Sequence, residues 1–104
     1  MLIQINTDNN VEGRERMENY FTSALENAFK RFEEKITRLE VHLGDENSDK
    51  FSTDDKRCMI EARLAGLQPV AVVHHADTIE KAVSGATDKM KRVLETTFSK
   101  MKNH

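Results

Sequence analysis

The sequence predicts an α+β sandwich of order β-α-β-β-β-α, in which a four-stranded sheet carries two helices packed on one face. Three observations lead there. Apolar residues alternate with period two in four short segments, and they recur every three or four residues in two long ones. The strand-like and helix-like segments also follow one another in an order that lets both helices cover the same sheet face.

"LIQINT" at the start sets Ile3 and Ile5 against Leu2, Gln4 and Asn6, a short strand with one apolar face. "DNNVEG" follows as a turn. From Arg14 to Lys35 the spacing becomes helical, with Met17, Phe21, Ala24, Leu25, Ala28 and Phe32 on one arc and Tyr20 and Phe29 at its margins. "ITRLEVHLG" returns to period two, with Leu39, Val41 and Leu43 opposite Arg38, Glu40 and His42. "DENSDKFSTDD" is acidic and aperiodic, an exposed loop. "KRCMIEARLAG" alternates again, with Cys58, Ile60, Ala62 and Leu64 on one side and Arg57, Met59, Glu61 and Arg63 on the other. "GLQP" forms a hairpin turn with Pro69, and "VAVVHHA" is the fourth strand. Asp77-Thr78 supplies an N-cap for a second helix reaching Lys102, whose apolar stripe is Ile79, Ala82, Val83, Ala86, Met90, Val93, Leu94, Thr97 and Met101. The uncovered sheet face, with Arg38, Arg57, Arg63 and His75, is left to water.

A chain of 104 residues is expected to form one domain, 1–104, with no linker and no internal repeat. The only cysteine, Cys58, admits no internal disulfide and fits a reducing compartment. There is no signal-peptide pattern at the start and no apolar run near the roughly 18 residues that span a bilayer, so the cytoplasm is the expected location. A formal net charge of −2 lacks the usual nucleic-acid footprint, but contacts are made by faces and not by sums.

Signatures of catalysis are missing. The glycines are scattered singly, so no phosphate loop is formed, and no HExxH helix occurs. His42, His74, His75 and Cys58 match no zinc spacing, and His74 and His75 point to opposite faces of a strand. The loop from Asp45 begins like a calcium loop, but Lys50 stands where glycine is needed and Lys56 where a bidentate glutamate is needed. Cys58 shares the apolar parity of its strand and reads as core packing. No enzyme, metal or cofactor is expected.

The closing helix, "KMKRVLETTFSKMK", holds Lys89, Lys91, Arg92, Lys100 and Lys102. With Lys89 at 0°, the apolar stripe covers about 20° to 180°. Lys89, Arg92 and Lys100 form one basic edge of it, Lys91 and Lys102 the other, and Asp88 and Glu95 fall on the outer back. Lys30, Arg31 and Lys35 cluster at the end of the first helix, where cations also complement the macrodipole. By spacing alone, a solvated face and a nucleic-acid surface both fit this pattern.

As a whole the chain resembles the ribosome hibernation-promoting factor family, which includes the ribosome-associated inhibitor of translation. The resemblance runs nearly full length through "INTDNNVEG", "IEARLAG…VAVVHHAD" and "DTIEKAVSGATDKMKRVL". Because the chain ends directly after its second helix, it looks like a short form. The resemblance implies a protein that occupies the decoding channel of the small ribosomal subunit during stress or stationary phase, competing there with messenger and transfer RNA. It also implies ribosomal RNA as the partner, with no membrane and no small-molecule substrate, and a monomer off the ribosome. Lys89 and Arg92 stand where the family carries a basic pair. With Lys100 they are the expected main phosphate contacts; Lys91, Lys102, Lys30, Arg31 and Lys35 support them, and Arg38, Arg57 and Arg63 are secondary. One departure is plain: "SALENA", Ser23 to Ala28, has no Lys or Arg where family members carry several. The rival reading is a protein-interaction or dimerisation module of the same fold, pairing through its open sheet face or an edge strand.

Overall fold

The alternation in the two central strands sets the architecture. In the computed structural model, which describes residues 1–8, 14–46 and 54–102, β2 (Ile36–Asp45) buries Leu39, Val41 and Leu43. Its neighbour β3 (Lys56–Leu64) buries Cys58, Ile60, Ala62 and Leu64 on the same side. The two pair antiparallel, with Leu39 opposite Ala62 and Val41 opposite Ile60. β1 (Leu2–Thr7) adds to β2 in parallel and β4 (Val70–Ala76) to β3 antiparallel, giving the order β1-β2-β3-β4. A parallel neighbour needs a crossover. That crossover contains α1 (Arg14–Ala28), and α2 (Ile79–Lys102) follows β4. This is the predicted α+β order and its predicted strand boundaries to within two residues. The turn expected over residues 9–13 and the middle of the acidic loop lie outside the described residues.

Both helices cover the buried face. α1 supplies Phe21 and Leu25, and α2 supplies Ile79, Ala82, Val83, Ala86, Met90, Leu94 and Phe98. Thr78 caps α2 as expected: its Oγ1 accepts the Lys81 N–H at 3.1 Å. The hairpin between β3 and β4 turns at Gly66, whose φ of 73° lies in the left-handed region that glycine enters without a Cβ clash.

The departures from the sequence reading start in α1, where Ala24, expected on the buried arc, is exposed. The first helix does not run to Lys35. It ends at Ala28, and a short 3₁₀ turn, η1 (Lys30–Phe32), follows Phe29. The Phe29 N–H still donates to the Leu25 carbonyl one helical turn back, at 3.0 Å, and its ring is fully buried; Phe32 ends the 3₁₀ turn in the core, whereas Tyr20 stays 64% exposed. In α2, Phe98 is a core residue that the stripe omitted, while Val93 and Thr97 are only half-buried. At the start of β2 the pairing register shifts between Ile36 and Arg38, and this bulge turns Ile36 to the same buried side as Leu39.

β4 sits close under α2. A Cβ placed on Gly85 would collide with the imidazole of His74. Gly85→Ala should therefore lower stability, because overpacking costs about 1–3 kcal/mol and outweighs a helix-propensity gain of about 0.5–1 kcal/mol. Adding His74→Ala should recover most of that loss. Thermal denaturation of both single variants and the double checks it; additive effects would show that the two residues do not meet.

Candidate nucleic-acid interface

The strand and helix directions gather charge at opposite ends. α2 starts beyond the end of β4 and runs back over it. Its 24 residues span about 36 Å, whereas the seven of β4 span about 23 Å. The last turns of α2 thus reach the end of the molecule where η1 and the start of β2 lie. Lys35 Nζ sits 4.6 Å from the centre of the Phe98 ring, and Arg31 pairs with Glu95. Lys30, Arg31, Lys35 and Lys100 share this end with Glu33, Glu34 and Glu95. Asp8, Asp45, Glu46, Asp54 and Asp55 lie at the other, where β2 ends and β3 begins.

Each predicted contact has its own setting. Lys89 leans over the sheet edge and donates from Nζ to the Val73 carbonyl of β4 at 2.8 Å. One donor is held by the fold, and the exposed ammonium keeps others for a ligand. Arg92 and Lys100, on the same side of the helix, are exposed and have no ion-pair partner among the described residues. Lys91 is half-buried on the opposite edge, the side towards α1; the side chain of Lys102 lies outside the described residues. Lys30 is exposed and unpaired among the described residues. Arg31 is paired with Glu95 and also stacks 4.6 Å from the Phe32 ring centre. Such cation–π contacts fix the position of a guanidinium or ammonium without consuming its charge.

The open sheet face is different. Arg38 pairs with Glu40 at 2.9 Å and with Gln4, Arg57 with Glu46 at 3.5 Å, and Arg63 with Glu61 at 3.5 Å. His42 and His75 lie within 4.0 Å of Glu40 and Glu46. Each arginine predicted there meets a carboxylate, so the face offers little net field to a polyanion. Sequence reasoning missed this because it assigned parity without cross-strand and next-row neighbours. It also put Asp88 and Glu95 on the outer back of α2; in the structure Glu95 meets η1 and Asp88 lines the space between the helices.

Among the described residues no group of three or more His, Cys, Asp or Glu side chains could hold a metal, and no helix is long and apolar enough to cross a membrane. His74 lies under α2, while His75 faces the other way towards Glu46. Near the acidic end, hydrogen bonding to Asp55, reinforced by Asp45, raises the Lys56 ammonium above its ordinary value. Burial pushes the Cys58 thiol up to about 12, the wrong direction for a nucleophile, which acts as thiolate.

That shift has a measurable sign. The unfolded thiol ionises near 9.0 while the folded one stays protonated to about 12, so its contribution is complete below pH 9 and is lost as pH rises towards 12. Relative to Cys58→Ala, the native chain should lose about 1.4 kcal/mol between pH 8 and pH 10 in urea unfolding. A difference that stays constant with pH would refute the buried, protonated thiol.

A sequence profile described as Sigma 54 modulation protein / S30EA ribosomal protein matches residues 3–102. The fold is similar to that of the Protein Y N-terminal domain from Thermus thermophilus, at 18% identity and a TM-score of 0.71, covering 93% of this chain and 99% of that one. It is also similar to a ribosomal subunit interface protein from Coxiella burnetii, at 20% identity and a TM-score of 0.66, covering 100% of both. No curated protein matches the sequence significantly.

Proposed function

Because the chain belongs to the Sigma 54 modulation protein / S30EA ribosomal protein family, a family of ribosome-associated proteins, we propose that it binds the small ribosomal subunit and represses translation by occupying the decoding channel. Such a protein acts by occupancy and not by catalysis, in the compartment where ribosomes work, under stress or in stationary phase.

The observation that carries the reading is the edge of α2 facing β4. There Arg92 and Lys100 are exposed and unpaired among the described residues, beside a Lys89 held in place on Val73. Exposed cations gain affinity for ribosomal RNA by displacing its counterions, and they read phosphate positions and not sequence. Lys30, Arg31 and Lys35 extend this surface, Lys91 lies on the far edge of the helix, and Lys102 joins them on the sequence reading. Arg38, Arg57 and Arg63 rank last, since binding phosphate would require them to leave Glu40, Glu46 and Glu61.

The dimerisation reading is second. β4 is an edge strand, but Lys89 occupies the Val73 carbonyl that an added strand would use, and a lysine on an edge hinders strand addition.

The test is co-sedimentation with small ribosomal subunits between about 50 and 200 mM salt. The native chain should bind at low salt and be released steeply as salt rises. Arg92→Glu with Lys100→Glu should weaken binding at least tenfold and flatten the salt slope by about 1.5. Neither side chain supports the fold, so circular dichroism should not change. Failure to bind at the lowest salt would refute the proposal, and full binding by the double variant would move the contact off this edge.

A further inference from the structure

The two helices do not close on each other. Between them lies a cleft of about 230 Å3 whose walls differ in character. The α1 wall is apolar, with Phe21 and Leu25 at its base and Tyr20 standing against Phe21, ring centres 5.0 Å apart. The α2 wall carries Val83 low down, with Glu80 and Asp88 as its charged residues. Those carboxylates are about 12 Å apart along the helix axis, and neither has an ion-pair partner among the described residues. Glu80 complements the helix N-terminus, but Asp88, in mid-helix, has no such role.

We infer that this cleft is a docking site for a short Lys- or Arg-bearing segment of a partner protein, which inserts an apolar side chain between Phe21, Leu25 and Val83 and sets its cations against Glu80 and Asp88. Charge complementarity selects this occupant. The cleft lining holds no Lys or Arg: "SALENA" on α1 has none, and the α2 residues that line it, Glu80, Val83, Ser84, Thr87 and Asp88, carry only negative charge. With two carboxylates and no cation in its lining, the cleft itself offers phosphate nothing to bind, so RNA does not fit it. A metabolite does not fit either, because the space is open and smaller than the roughly 300–1,000 Å3 of enclosed small-molecule pockets. One or two apolar side chains do fit, and a cationic flank satisfies the carboxylates. The inference stands whether or not the partner belongs to a ribosome.

The site carries its own probe. Tyr20 is the only tyrosine, the chain has no tryptophan, and the ring is 64% exposed at the cleft. A short peptide of leucine, lysine and serine, titrated at low salt, should change Tyr20 emission saturably. Glu80→Gln with Asp88→Asn should weaken that binding about three- to tenfold. Ala24→Arg, on the exposed rim, should abolish it by filling the cleft with a like charge, without unfolding the domain. Arg92→Glu with Lys100→Glu should leave the peptide affinity unchanged while releasing ribosomal subunits, which separates this site from the RNA edge. The inference is overturned if the peptide gives no saturable change, if the Glu80/Asp88 variant binds equally well, or if a glutamate-for-lysine peptide or an RNA oligonucleotide produces the same response.

Discussion

The structure depends on a single constraint: the central strands β2 and β3 can bury only one face. Leu39, Val41 and Leu43 lie on the same side as Cys58, Ile60, Ala62 and Leu64, and a register slip of one residue would send all of them to water. With one face fixed as apolar, both helices must cover it, and the other must satisfy its charges by itself. It does so with Arg38–Glu40, Arg57–Glu46 and Arg63–Glu61. Exposed basic groups without an ion-pair partner among the described residues, such as Lys30, Arg92 and Lys100, lie instead on the helical layer.

Much of this was legible in the sequence, because periodicity reports burial directly. Period two located the strands to within two residues, and the spacing of Ile79, Ala82, Val83, Ala86, Met90 and Leu94 located the buried side of α2. What was not legible depends on changes of period. The helix end at Ala28 with the 3₁₀ turn after it, and the bulge that turns Ile36 inward, are such changes. A fixed angle per residue predicts neither.

The candidate site was half legible for a related reason. A helical wheel gives the angle of Lys89, Arg92 and Lys100 correctly but does not say which edge meets which neighbour. Only the packing shows that one edge of α2 hangs over β4, where Lys89 finds the Val73 carbonyl, and that the other turns towards α1 and η1, where Glu95 finds Arg31. Two lysines with the same exposure in sequence terms, Lys89 and Lys100, therefore differ: the fold positions one on the Val73 carbonyl, and the other has no ion-pair partner among the described residues.

A net charge of −2 does not decide which faces are basic, because contacts are made by faces and not by sums. The β2–β3 end holds Asp45, Glu46, Asp54 and Asp55 beside Lys56 and Arg57, and the α2–η1 end holds Lys30, Arg31, Lys35 and Lys100 beside Glu33, Glu34 and Glu95. At physiological salt the screening length is about 8 Å, far less than the roughly 36 Å of α2, so each end presents its own field.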